Sequence, residues 1–294
     1  MTKNEIQDYS KATGRDVRLA ARSGDLTTPT TGLAAGYLQA NLIILPANYA
    51  DDFRQLCQRN PVPCPLLAES ASPGDFRNLK SHIPGISGQQ IASDLDLRKD
   101  APRYVVYKDA DEVKGQKGCL DIERWWADDH IAFLIGCSFS FENALMEKGL
   151  VVKHILHGRN VSMYRTTMPL CDAGRFQKRS YVVSMRPYEL GEVEAVKAVT
   201  RPFGLTHGEP LGWGWQTAEA LGIKDITKPE YGDAPVCADG TPFTRDSREV
   251  PVFWGCGVTP QNAVVGNSIS GIVLGHLPGH MLVLDLREED VFKR

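Results

Sequence analysis

The sequence predicts a mixed α/β protein, and three observations predict it. Strand-like apolar runs recur along the chain, from "RYVVYKD" at 103–109 to "GHMLVLDL" at 279–286. Segments with a 3.6-residue apolar period fall between them, most clearly "ELGEVEAVKAVTRPF". Finally, "FLIGCSFSFENAL" (Phe133 to Leu145) is echoed without a gap by "VFWGCGVTPQNAV" (Val252 to Val264). Each copy reads as a strand end, a tight turn and a helix start.

Taken in order, the first thirty residues look helical and polar and then turn-rich, "RSGDLTTPTTG". Residues 33–46 predict a core helix or a buried strand ending at Pro46, and "ANYADDFRQLCQRN" a helix stopped by Pro61. The stretch "NPVPCPLLAESASPGD" carries too much proline for regular structure to be expected, whereas "APRYVVYKDADEV" reads as a strand. In "DIERWWADDHIAFLIG" an amphipathic start runs into a strand from Ile131 to Ile135. "LVVKHIL", "YVVSMRPY" and "VPVFW" are strand-like; residues 224–249, rich in proline, glycine and polar residues, read as surface loops.

Composition removes several classes of function. With 42% apolar and 23% charged residues the chain is ordinary for a soluble globular protein. Thirty-three basic against 36 acidic residues leave a formal charge of -3, so nucleic acid is not an expected partner. "MTKNEIQDYSKATGRD" lacks the apolar core of a secretory signal, and "GLAAGYLQANLIILPA" is too short to span a bilayer, so no membrane partner is expected. The cysteine count is odd, 7, with no CxxC pair. A reducing, cytoplasmic setting without disulfides or a structural zinc follows as the expectation. No metal or cofactor is expected: GxGxxG, GxxxxGK[ST] and HExxH do not occur, and neither does a GxSxG elbow.

The echo supplies the candidate site. Gly136 and Gly255 end the two apolar runs where the chain turns sharply, and Cys137 and Cys256 follow them. Ser140 and Thr259 occupy equivalent N-cap positions, and Pro260 suits a first helical residue. Glu142 and Gln261 fall in the first turns, while Gly149 and Gly266 suit helix C-termini. Backbone N–H groups around Ser138 and Gly257 would then face a carboxylate or an oxyanion. A cysteine in that position is expected to have a lowered pKa. Cys137, Cys256, Glu142 and His207 are therefore the proton-carrying candidates, His207 lying in the glycine- and proline-flanked loop "LTHGEP". Arg165 and Arg186 are candidate clamps for a substrate carboxylate. Against this stand plainer readings: a buried cysteine is commonly a small hydrophobe, and either arginine could serve a structural ion pair. Pro278 and Gly279 keep His276 and His280 off a common helix face, and His154 and His157 read as surface residues.

Together "TGLAAGYLQANLIILP", "NPVPCPLL", "RYVVYKD", "FLIGCSFSFE", "VSMYRT", "VVSMRP", "VPVFWGCGVTPQ" and "GHMLVLDL" resemble the D-glutamate cyclase family, in order from about Arg22 to Asp285. The resemblance implies a three-layer α/β domain joined to a smaller two-layer α+β domain. It also implies a cofactor-independent carbon–oxygen lyase, the named activity being dehydration of D-glutamate to 5-oxo-D-proline. It brings no assigned catalytic residues. One departure bears on specificity: relatives tend to continue the "HG.P" motif with a further histidine, whereas this chain reads "HGEPLGWGWQ" from His207.

Residues 1–145 and 246–294 are expected to form the main domain and 146–245 the smaller one, with the two Gly-Cys turns facing each other across a cleft. A small carboxylate is the expected substrate. A two-cysteine racemase or epimerase and a non-catalytic binder of small acids are the competing functions.

Overall fold

The computed structural model describes residues 8–109, 111–112, 118–264 and 269–292. Twelve strands are present among them: β1 (Tyr37–Pro46), β2 (Leu66–Ser70), β3 (Leu79–Ser81), β4 (Tyr104–Lys108), β5 (Asp111–Glu112) and β6 (His130–Gly136). The second half contributes β7 (Ser162–Pro169), β8 (Ser180–Glu189), β9 (Gly212–Trp213), β10 (Glu249–Gly255), β11 (Ile272–His276) and β12 (Leu282–Arg287). They form an eight-stranded sheet in the order β3-β2-β6-β1-β11-β4-β5, with β12 also on β1, and a four-stranded sheet β7-β8-β10-β9. Every pairing between these strands is antiparallel.

Alternation along the central strands builds a three-layer arrangement. Leu38, Ala40, Leu42 and Ile44 of β1 enter one core, with Ala144 and Leu145 from the helix Glu142–Glu147 and Phe141 just before it. Ile43 and Leu45 point the opposite way, into a core closed by Phe53, Leu56 and Cys57 of the helix Ala50–Arg59. A period of two puts consecutive residues on opposite faces, and both faces here are covered, so β1 reads as a nearly continuous apolar run. Thr13 caps the helix Gly14–Ser23 through a capping box with Asp16. The four-stranded sheet turns Val252, Trp254 and Tyr188 toward the first core and packs Val183, Met185 and Phe253 against the helix Gly214–Ala220.

Several local expectations change. Of the two readings open for residues 33–46, the buried strand is the one found, over Tyr37–Pro46, with turns and bends at 33–36. Despite its prolines, the stretch after Asn60 contains β2, because Leu66–Ser70 lies in the proline-free interval between Pro65 and Pro73 and pairs with β6. "LVVKHIL" is not a strand: Lys153–Leu156 forms a helical turn that buries Lys153 and His154. β10 belongs to the four-stranded sheet, beside β8, so that sheet draws on residues either side of the boundary expected at 245. Gly149 follows the helix Glu142–Glu147 with φ 75°, as a helix-ending glycine should. Gly266 lies outside the described residues.

Candidate active site

The two echoing turns hang from the two sheets in the same way. Ala40 of β1 pairs with Gly136 of β6, and Val183 of β8 pairs with Gly255 of β10. One residue on, the Cys137 N–H donates to the Gln39 carbonyl at 3.0 Å and the Cys256 N–H to the Val182 carbonyl at 3.1 Å. Ser140 Oγ accepts from the Gln39 N–H, and Thr259 Oγ1 from the Val182 N–H, both at 2.9 Å. The Ser140 and Thr259 N–H groups then close on the Cys137 and Cys256 carbonyls at 3.0 and 2.9 Å. The sequence echo is thus a repeated hydrogen-bond frame. Its shared hydroxyl does a different job from the one expected on the first copy: Cys137 caps the short helix Ser138–Phe141, and Ser140 ties the turn to β1.

Asn41 links the frames. Its amide donates to the Gly136 carbonyl at 3.1 Å, and a Cβ added to Gly257 would lie 1.9 Å from that same nitrogen. Only glycine lets the second turn approach so closely. Gly136 is tight as well, since a Cβ there would meet the Leu205 carbonyl at 1.9 Å. As a result Cys137 and Cys256 share one small apolar cluster at the junction of the sheets, with Phe139, Val161, Met163, Val182, Val258 and Met281. Each cysteine keeps 6% of its surface exposed.

Burial reverses the expected acidity of both thiols. It pushes Cys137 far above its ordinary value, with further increments from the nearby Cys256 and Glu142. Cys256 rises to about 11, again through burial, with Arg186 pulling back. The helices after the turns are too short to compensate: Ser138–Phe141 is a single 3-10 turn, and Thr259–Val264 has 6 residues. Both cysteines are protonated thiols in the resting protein.

A charged cluster stands beside them. Arg186 is fully buried and donates through Nε and Nη2 to Glu142, through Nη2 to Ser138 Oγ at 3.1 Å, and through Nη1 to Ser184 Oγ at 3.2 Å. Its guanidinium lies over the Phe141 and Trp254 rings. Glu142 also faces His154 Nε2 at 3.0 Å and accepts from Thr31 Oγ1 at 3.0 Å. Burial would raise the Glu142 pKa, but His154 and Arg186 overcome it and hold the carboxyl at about 2. Arg186 therefore positions Ser138 and Glu142, with all three guanidinium nitrogens engaged by protein. His154 is buried at 8%, not on the surface. Sequence reasoning missed it, together with Asn41 and Thr31.

The remaining candidates lie around this centre. His207 is buried with φ 88°, and its Nδ1 meets the Val62 carbonyl at 2.7 Å; burial lowers its pKa to about 4. Gln261, the counterpart of Glu142, donates to the His276 carbonyl at 2.7 Å. Arg165 sits elsewhere, exposed on β7, its guanidinium held by the Tyr231 hydroxyl. With Asn160, Glu230 and Asp233 it lines an open cleft of about 550 Å³. Among the described residues, no helix is long and apolar enough to cross a membrane.

The fold is thus mixed α/β, with two thiols buried in matched turns beside an ionised carboxylate. Residues 131–285, which include both turns, match the family model for D-glutamate cyclase. The chain belongs to the D-glutamate cyclase family. A Bordetella petrii protein named "putative hydro-lyase" is 46% identical over 269 residues, covering 92% of each chain. A Bacillus licheniformis protein of the same name is 47% identical over 279 residues, covering 93% of this chain and 95% of that one. In Schizosaccharomyces pombe a further bearer of the name is 39% identical over 273 residues, covering 92% and 83%.

Proposed function

We propose that the chain is a carbon–oxygen lyase acting without a cofactor on a small amino or hydroxy acid, with D-glutamate closing to 5-oxo-D-proline as the leading reaction. The family supports the reaction class, and one structural observation carries the site: two thiols brought together by the same backbone frame. Lactam closure moves no electrons to or from an external partner. The substrate ammonium loses two protons, the nitrogen bonds the side-chain carboxyl carbon, and one carboxyl oxygen leaves with both protons as water. A buried thiol suits this exchange, because it gives a proton to the leaving oxygen and regains one from the nitrogen. Cys137 and Cys256 would each carry one proton. Ionised Glu142 acts through Arg186, which fixes Ser138 at the rim of the first turn. Gly257, Thr259 and Gln261 would shape the second.

Two thiols in equivalent frames also favour a second reading, racemisation or epimerisation with one thiol removing the α-proton and the other returning it. Incubation with D-glutamate in deuterium oxide separates the two. The lyase reading expects 5-oxo-D-proline with the Cα hydrogen retained; deuterium at Cα of recovered substrate supports the racemase instead. Thermal stabilisation by small acids without any product, across D- and L-amino acids and dicarboxylates, would leave a binder and overturn catalysis.

A further inference from the structure

Lactam closure starts with a proton leaving the substrate ammonium, and the groups of the paired turns cannot take it. Both thiols already carry their protons, and burial pushes each pKa up. Glu142 is claimed by Arg186 and Thr31, and His207, lowered to about 4, is too weak a base for an ammonium. One further titratable side chain packs against them. The His154 ring lies 6.3 Å from the Phe139 ring at an interplanar angle of 34°. Phe139 belongs to the cluster that holds both cysteines, and its N–H donates to Cys137 Sγ at 3.5 Å.

The contacts of His154 fix its tautomer. Thr31 has a single hydroxyl hydrogen and donates it to Glu142 Oε2 at 3.0 Å, so toward His154 Nε2, 3.2 Å away, its oxygen only accepts. Nε2 therefore carries the hydrogen, and Glu142 Oε1 lies 3.0 Å from that nitrogen as well. The neutral ring keeps its lone pair on Nδ1, which no hydrogen bond engages among the described residues. A carboxylate behind one ring nitrogen and a lone pair on the other orient a general base and support the imidazolium it becomes. Lys153 is spent on Glu249 and the Pro187 carbonyl, and His157 on the Ala238 carbonyl. Glu142 and, behind it, Arg186 are thus the charges facing the ring.

We propose that His154 is the general base of this site, its Nδ1 removing the first proton from the substrate ammonium while Glu142 and Thr31 hold Nε2; the role rests on the lyase reading above. Loss of that proton frees the nitrogen lone pair. The nitrogen bonds the side-chain carboxyl carbon as the C=O electron pair moves onto its oxygen. Cys137 and Cys256 each give a proton to the leaving oxygen. The C–O bond breaks, its electron pair departs with that oxygen as water, and the C=O bond reforms. The second nitrogen proton then goes to one thiolate and the imidazolium proton to the other, returning every group to its starting state.

The test follows 5-oxo-D-proline formation by wild type, His154→Gln and His154→Ala, with melting curves beside each. Glutamine keeps an N–H for Thr31 and Glu142 but has no basic atom, so kcat should fall at least about 100-fold while melting moves little. Wild-type kcat in His154→Gln would overturn the role and leave the lyase reading standing. In His154→Ala, added imidazole should restore turnover at least about tenfold; a folded variant that imidazole leaves unchanged would overturn the role. Nitrogen-15 NMR of histidine-labelled wild type, with His154 assigned by its loss in the variants, should show the hydrogen on Nε2. A hydrogen on Nδ1 of the neutral ring would refute the base whether or not D-glutamate is turned over, whereas a wild type that converts no acid would sink the lyase reading and this role with it.

Discussion

Replacing Glu142 with glutamine tests the charged cluster directly. The substitution keeps shape but removes the negative charge that Arg186 and His154 share in the interior. Breaking a buried pair by neutralising one partner costs about 3–5 kcal/mol. Proton linkage gives a comparable figure: a carboxyl moved from 4.5 to about 2 contributes about 3 kcal/mol at neutral pH. Because the folded-state pKa is depressed, this contribution is complete above pH 4.5 and fades as pH falls toward 2. Urea unfolding of wild type and Glu142→Gln should differ by about 3 kcal/mol at pH 7, a melting shift of roughly 6–12 °C. The difference should shrink steadily between pH 4.5 and 2. A gap under about 1 kcal/mol at pH 7, constant across that range, would refute the cluster as described.

Other perturbations probe the frame. Gly136→Ala forces a Cβ to 1.9 Å from the Leu205 carbonyl and should cost about 1–3 kcal/mol, whereas Gly191→Ala, with open space around it, should stay within about 0.5 kcal/mol. Equal denaturation midpoints for the pair would contradict the close approach. His207 and His276 are both lowered to about 4 by burial, so each stabilises fully above pH 6.5 and loses that contribution as pH falls toward 4. Each accounts for up to about 3 kcal/mol, and His276→Gln should remove its share of the acid loss in unfolding series at pH 7, 5.5 and 4.5. Parallel wild-type and variant curves would argue against a neutral buried imidazole.

The echo around the two cysteines was readable because it is local: a strand end, a glycine and a hydroxyl at fixed spacing dictate the same turn twice. Asn41 was not, since its amide meets Gly136 and Gly257 only after distant strands pair. His154 escaped for a related reason. A four-residue helix has no periodicity to display its buried side, and its partners Thr31 and Glu142 lie on other elements. Thiol acidity was misjudged because position beside a helix start is visible in sequence, whereas depth of burial is not, and burial dominates here. Arg186 could be read either as a clamp for a substrate carboxylate or as half of a structural ion pair; it pairs with the protein's own Glu142, a partner 44 residues away that sequence spacing does not reveal.

The most direct measurement is D-glutamate turnover by wild type, Cys137→Ser, Cys256→Ser and the double variant, followed as 5-oxo-D-proline formed. Two thiols acting as one unit predict a loss of at least about 100-fold in each single variant and little further loss in the double. Full activity in either single variant, with product still forming, would contradict a site shared by both turns.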